Sequence, residues 1–199
     1  MSGPAPELRT SRLCIRLARP GMERALAGFL RENFKGHLDR WSPPVGPAFF
    51  TDAFWAERLT LALDEFHAGR SARFVIQALP GDRLDAPIVG TCNYTNIVRG
   101  PFQACYLGYQ VGREHEGRGL MAEALRATNA FAFETLRLHR IMANYRPENA
   151  RSARLLERLG FVREGLARDY LFIDGAWRDH VMTSLTHPDF DARWVQAAG

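Results

Sequence analysis

Two glycines, Gly117 and Gly119, stand where an apolar run of strand-forming residues (106–112) gives way to an amphipathic stretch opening with Leu120 and Met121. Spaced glycines leave backbone N–H groups bare just where a helix begins, and a helix N-terminus is a ready-made anion site. Arg113, Glu114, His115, Glu116 and Arg118 put charge of both signs into the same loop. The segment predicts a phosphorylated ligand, with a plain tight turn as the alternative. Asn149 and Ser152 form a second pairing, at the start of a short amphipathic stretch after Pro147, where Asn149 reads as a helix cap. Alternation along 169–172 places Asp169 on one strand face with Leu171, as a candidate base or as an ordinary surface carboxylate. Cys105 as a nucleophile would imply a covalent enzyme intermediate; as a buried thiol it would be inert. The six histidines show no i,i+4 pair and no cysteine at metal spacing, so no metal site is expected.

Which phosphate ligand the loop takes depends on its setting. A P-loop needs Gly-Lys followed by Ser or Thr, and the single lysine, Lys35, precedes Gly36. Gly117-x-Gly119-x-x-Ala122 formally satisfies a dinucleotide fingerprint. That fold places the fingerprint after an early strand and builds several further βαβ units behind it. Here the motif lies past mid-chain.

The elements that must position these residues are legible from periodicity. Strands are predicted over 8–18, 73–79, 88–98 and 103–111, an antiparallel meander, with helices over 21–34 and 51–68 on either side of a Pro-rich turn around Trp41. A helix over 119–138 carries Met121, Leu125, Thr128, Ala132 and Leu136 on one stripe. A strand over 139–145 precedes the short helix at Asn149, which Gly160 ends with a left-handed cap. Asp174-Gly175 turns a final hairpin between 169–173 and 178–185.

One domain is expected for 199 residues that are 46% hydrophobic. Net charge +4 comes from 25 arginines and one lysine, without an arginine run that would make a nucleic-acid arm. Three scattered cysteines argue for reduced thiols and a cytosolic protein. Neither a signal peptide nor a membrane span is expected.

In their order, the meander, glycine loop, helix and following strand resemble the GCN5-related N-acetyltransferase (GNAT) superfamily. Its loop follows (Gln/Arg)-x-x-Gly-x-(Gly/Ala), and Glu114-x-x-Gly117-x-Gly119 departs only at Glu114. His139-Arg140-Ile141-Met142-Ala143-Asn144-Tyr145, Pro147-x-Asn149-x-x-Ser152, Leu159-Gly160-Phe161 and Asp174-Gly175-x-Trp177-Arg178-Asp179-His180 resemble the ribosomal-protein alanine N-acetyltransferase branch, the RimJ type. Asn96-x-Val98-Arg99-Gly100 and 104–109 do so too, and the resemblance runs from Leu8 to Phe190.

The resemblance implies an α/β (α+β) fold: a mixed, mostly antiparallel sheet with one splayed parallel strand pair and flanking helices. It implies a single domain over 8–190, between a flexible N-terminus (1–7) and a C-terminal tail (191–199). The acyl donor would be acetyl-CoA, without a metal. Its pantetheine arm would pair with the strand carrying Tyr109, Gln110 and Val111, and its pyrophosphate would lie on the loop from Arg113 to Met121, with Arg113 and Arg118 supplying the charge that Glu114 lacks. Asn149 would hold the acetyl or pantetheine end, and Ser152 would protonate the leaving thiolate. Asp169 is the candidate water-relayed base; Tyr106 and Trp41, the latter in a lid with Phe34, His37 and Leu38, are candidates for contact with the acceptor.

The implied activity is acetyl transfer to the N-terminal alanine of a small-subunit ribosomal protein, in the cytoplasm, without sequence-specific nucleic-acid or membrane contact. Two alternatives remain: another amine acceptor (an antibiotic, polyamine or amino acid), or an acyl-CoA-binding ribosome assembly factor. An α-amine titrates at about 7.7–8.0 against about 10.4 for lysine, a difference in free-base supply worth about 3 kcal/mol at neutral pH. A weak base therefore suffices for an N-terminal acceptor.

Overall fold

The computed structural model describes residues 5–196; segments 1–4 and 197–199, parts of the expected terminal extensions, lie outside the described residues. In chain order the elements are β1 (Glu7–Arg9), β2 (Leu13–Leu17), α1 (Glu23–Asn33), α2 (Asp52–His67), β3 (Ala72–Ala78), β4 (Ile88–Val98), β5 (Ala104–Val111), α3 (Leu120–Ala130), β6 (Arg140–Met142), α4 (Ala150–Arg158), β7 (Val162–Ile173), β8 (Ala176–Thr186) and a short α5 (Arg193–Gln196). They build an eight-stranded sheet in the order β1-β2-β3-β4-β5-β6-β8-β7. Every neighbouring pair is antiparallel except β5 and β6.

The sheet is covered on both faces, as β3 records. Phe74 and Ile76 enter a core shared with Leu125 and Phe131 on the α3 side. Val75, between them, enters a second core with Phe29 of α1 and Leu59 of α2. The α3 stripe from Met121 to Leu136 is buried as its period predicts. Gly119, at φ +73, precedes the helix in a left-handed conformation that favours glycine. At the far end the helix widens into a π-turn, Phe131–Thr135, and left-handed Arg137 stops it short of the predicted 138. The end of α4 is a glycine cap: Gly160 donates to Glu157 O at 3.0 Å and Phe161 to Leu156 O at 3.0 Å.

Three predicted elements differ. The strand expected over 8–18 is a hairpin, because Thr10 turns the chain: its Oγ1 accepts from Leu13 N–H (3.0 Å) and its own N–H donates to Leu13 O (3.0 Å). The strand expected over 139–145 pairs with β5 only through Arg140–Met142. The last hairpin begins at Val162 rather than 169, and turns at Asp174 and Gly175, both with positive φ. Among the described residues, no helix is long and apolar enough to cross a membrane and no cluster of three metal-ligating side chains occurs.

The β1–β2 turn is tied to α3. Glu123, in the first turn of α3, accepts from Thr10 Oγ1 (2.6 Å), Ser11 Oγ (3.1 Å), Arg12 N–H (3.0 Å) and Arg12 Nε (2.7 Å). Arg12 Nη1 also donates to Arg118 O at 2.9 Å, so the clamp reaches the glycine loop. Burial alone would raise the Glu123 pKa, but the hydrogen bonds from Thr10, Arg12 and Ser11 outweigh it and hold the carboxyl at about 2. Glu123→Gln should lower stability by about 2 kcal/mol at neutral pH, and Tm by about 4–8 °C. A depressed carboxyl stabilises fully above its ordinary 4.5 and loses that contribution as pH falls through about 2. Denaturation curves of wild type and variant should therefore converge across that window.

Candidate active site

After Tyr106, β5 loses its parallel partner. Only Ala104, Cys105 and Tyr106 pair with Arg140, Ile141 and Met142. Beyond them the β6 chain follows β8, with Ala143 N–H on Thr183 O (3.0 Å) and Tyr145 bridged to Val181. On its other edge β5 stays paired with β4, and Gly112 N–H donates to Val89 O at 2.9 Å. Alternation then directs the N–H and C=O groups of Tyr109 and Val111 away from β4, into the gap. His37 Nε2 confirms the direction by donating to Val111 O at 3.0 Å. The gap widens into a cleft of about 730 Å³, bounded by β5, the glycine loop, α4 and the strap that carries His37 and Trp41. At Gly108, on the cleft wall, a Cβ would meet nothing within 4 Å.

Asn149 and Ser152 come together with Tyr109 on one bank. Asn149 caps α4, its Oδ1 accepting Ser152 N–H at 3.1 Å. Ser152 Oγ lies 2.6 Å from Tyr109 Oη. Burial pushes the Tyr109 phenol up to about 12; the Ser152 hydrogen bond lowers it, and Tyr145 adds a small rise. Both hydroxyls therefore keep their protons at neutral pH, as one hydrogen-bonded pair at the base of the gap. The sequence expectation names Ser152 as a proton donor; the Tyr109 hydroxyl beside it comes only from the fold.

The glycine loop is open as expected, with Gly117 (φ +74) and Gly119 (φ +73) presenting bare backbone before α3. His115, Glu116, Leu120 and Met121 line the cleft beside it. Neither arginine expected to bring positive charge to it, Arg113 or Arg118, lines the cleft. Arg113 is turned away, its Nη2 donating to Gly36 O at 2.6 Å and its N–H to Asn33 Oδ1 at 2.8 Å. Arg118 and Glu114 are exposed and do not line the cleft. Instead Arg151, Arg154 and Arg158 project from α4 into the cleft, and Arg151 is ion-paired to Glu116. Their spacing (i, i+3, i+7) is one helical face, a signal present in the sequence but read there only as apolar periodicity.

The opposite bank holds Trp41. Its ring is flanked by the guanidinium groups of Arg40 (4.9 Å) and Arg146 (5.5 Å), a cation–π arrangement. Arg146 Nη1 also donates to Arg40 O at 2.6 Å, pinning the strap across the cleft. Gln110 adds a tie, its Nε2 on Ser42 Oγ at 3.3 Å. Two further expected residues, Asp169 and Tyr106, are absent from the wall. Asp169 sits on a bulge at φ +46, its N–H donating to Asp179 Oδ1 (2.9 Å), because the β7 register shifts between Ala167 and Leu171. The alternation that would have aimed its carboxylate fails there. Tyr106 lies behind the wall against Tyr170, whose phenol is raised by burial and by that neighbour. Tyr170 meets two wall residues that sequence did not select, Asn144 (Nδ2 to Tyr170 Oη, 3.2 Å) and His180 (ring centroids 5.4 Å apart). Cys105 is fully buried, and desolvation pushes its thiol up to about 12, so it is no nucleophile.

Residues 12–162 match the family described as Acetyltransferase (GNAT) domain. The chain is 44% identical over 187 residues, 94% of each sequence, to the [Ribosomal protein uS5]-alanine N-acetyltransferase of Escherichia coli. A solved ribosomal-protein-S5-alanine acetyltransferase from Vibrio fischeri superposes with TM-score 0.87 at 36% identity, covering 94% of this chain and 99% of that one. RimJ of Mycobacterium smegmatis, solved in complex with CoA-disulfide, does so with TM-score 0.78 at 30% identity, covering 98% and 94%. With the splayed strand pair, the glycine loop and these relatives in agreement, the chain belongs to the GNAT acetyltransferase family and is an N-acetyltransferase.

Proposed function

We propose that this enzyme transfers acetyl from acetyl-CoA to the N-terminal alanine of ribosomal protein uS5, in the cytoplasm. The observation that carries the acceptor is the 44% identity, across 94% of both chains, to the uS5-alanine enzyme of Escherichia coli. The cleft fits the donor. Strand edges do not leave buried N–H and C=O groups unpaired, and the β5 edge at Tyr109 and Val111 offers an amide-bearing arm a strand to pair with. Bare N–H groups before α3 suit a pyrophosphate, and Arg154 and Arg158 supply forked cationic donors for phosphate.

When bound, acetyl-CoA supplies an acetyl thioester. The chain's own groups do the rest. A β5 N–H directed into the gap is a donor for charge developing on the acetyl oxygen. Tyr109 and Ser152, sharing a short hydrogen bond, deliver a proton to the departing sulfur. Asp169 has no part in this scheme, and Arg113 serves the strap.

With purified enzyme, turnover should be seen on Ala-starting peptides and should be far weaker on free lysine, spermidine and aminoglycosides; turnover confined to the latter would overturn the acceptor. Tyr109→Phe and Ser152→Ala should each lower kcat by about tenfold or more, and the double variant should be little worse than either, since the hydroxyls act as a unit. Arg154→Ala with Arg158→Ala should raise the acetyl-CoA KM about tenfold, while Arg113→Ala leaves it nearer wild type. Steady-state kinetics with each substrate varied in turn separates these outcomes.

A further inference from the structure

Three polar atoms on the Trp41 side of the cleft are left over after the contacts above are counted. Asn144 Oδ1 and Arg146 Nε are buried without a hydrogen-bond partner. His180, only 4% exposed, engages through Nδ1 alone, 3.0 Å from Arg178 O. All three residues line the cleft. Tyr145 and Val181 are a bridged cross-strand pair and share a face. Asn144, Arg146 and His180, one step away along either chain, therefore project from the opposite face. Tyr145 packs against the α3-side core, so that opposite face is the one under the strap.

The donor and acceptor inventory gives each atom a role. A carbonyl oxygen only accepts, so His180 Nδ1 donates to Arg178 O and Nε2 of the neutral ring carries the lone pair. The Asn144 amide N–H is committed to Tyr170, which leaves Oδ1 as its free end. Two acceptors joined through Tyr170 suit a ligand group that presents N–H donors, and a primary amine presents at least two while its nitrogen lone pair stays free to attack. Arg146 has Nη1 on Arg40 O and Nη2 on Glu148, leaving Nε–H as a donor two residues from Asn144 on the same face. A donor there suits a carbonyl oxygen close to the amine. A polypeptide N-terminus has its carbonyl on the next carbon, whereas a lysine side chain or a polyamine has none.

We propose that Asn144, Arg146 and His180 form the subsite for the α-aminoacyl terminus of the acceptor. Asn144 Oδ1 and His180 Nε2 receive the amine, Arg146 Nε holds the first carbonyl, and His180 is the base. This rests on the acetyl-transfer reading above. As the bond from amine nitrogen to acetyl carbon forms, the carbon–sulfur bond breaks and its electron pair leaves with sulfur. His180 Nε2 takes the proton lost by nitrogen and Tyr109–Ser152 protonates sulfur; His180 then releases its proton to water and the Tyr109–Ser152 pair regains one from water, so the enzyme returns to its starting state. The titratable and charged groups around His180 are Tyr170 on β7, Arg146 after β6, Arg40 on the strap, and Arg178 and Asp179 in its own strand.

The test uses the full chain with acetyl-CoA and two acceptors, an Ala-starting peptide and n-butylamine, which has no carbonyl. His180→Gln should lower peptide kcat/KM about 100-fold at pH 7. The deficit should shrink as pH rises past the amine pKa, with acetyl-CoA affinity by calorimetry unchanged. Free imidazole should restore turnover to His180→Gly. Arg146→Lys should raise the peptide KM about tenfold and narrow the preference for peptide over n-butylamine. Wild-type kcat/KM in His180→Gln, or a His180→Gly deficit that neither imidazole nor alkaline pH relieves, overturns the base assignment; an unchanged acceptor preference in Arg146→Lys overturns the carbonyl contact. Failure of the underlying acceptor reading looks different: the wild-type enzyme itself would leave the peptide unacetylated.

Discussion

A β-strand inside a sheet that loses its neighbour halfway along creates a demand that the rest of the molecule answers. In β5 that point is Tyr106, after which the N–H and C=O groups of Tyr109 and Val111 face a gap. Unpaired backbone groups away from water are costly, so the gap must be wet, bridged by side chains or filled by a ligand. His37 meets one carbonyl, that of Val111. The remainder makes an extended amide chain a natural occupant, and this requirement, more than any side chain, defines the donor site.

The same gap joins two faces of the sheet that would otherwise be separate. Tyr109 points toward α4, where Ser152 meets it, while Asn144 and His180 lie under the strap on the other side. Continuous pairing of β5 with β6 would put a wall of backbone between them. Splaying the strands opens a passage, and in the proposed mechanism one bank handles a proton at sulfur and the other a proton at nitrogen. Gly108 serves the same end: any side chain there would project into the opening, and nothing in the protein would stop it.

Much of this was legible in the sequence because it follows from local rules. The α3 stripe, the glycine pair, the Asn149 cap, the Gly160 stop and the Asp174-Gly175 turn each depend on residues within a few positions of one another. What was not legible depends on long-range contacts. The end of β6 at Met142 is set by the pull of β8 on Ala143 and Tyr145. Asp169 was misplaced because a bulge breaks period-two alternation without any glycine or proline to announce it. His180 looked like one more hairpin residue, since no sequence neighbour reveals that its strand borders the cleft.

Charge placement in the donor site shows the same division. The loop departs from its family pattern at Glu114, and the natural remedy, the adjacent Arg113, is already bound to Gly36 O and holds the strap. A guanidinium fixed at the mouth of the loop would also crowd the N–H groups that make the anion site. In the proposed donor site, charge from Arg154 and Arg158 on α4 avoids that conflict, because the helix faces the loop across the cleft rather than along it. The ion pair between Arg151 and Glu116 ties α4 to the glycine loop, as the hydrogen bond from Arg146 to Arg40 O ties the strap at the other end of the cleft. The cleft is thus framed by two arginine ties, with the unpaired edge of β5 exposed between them.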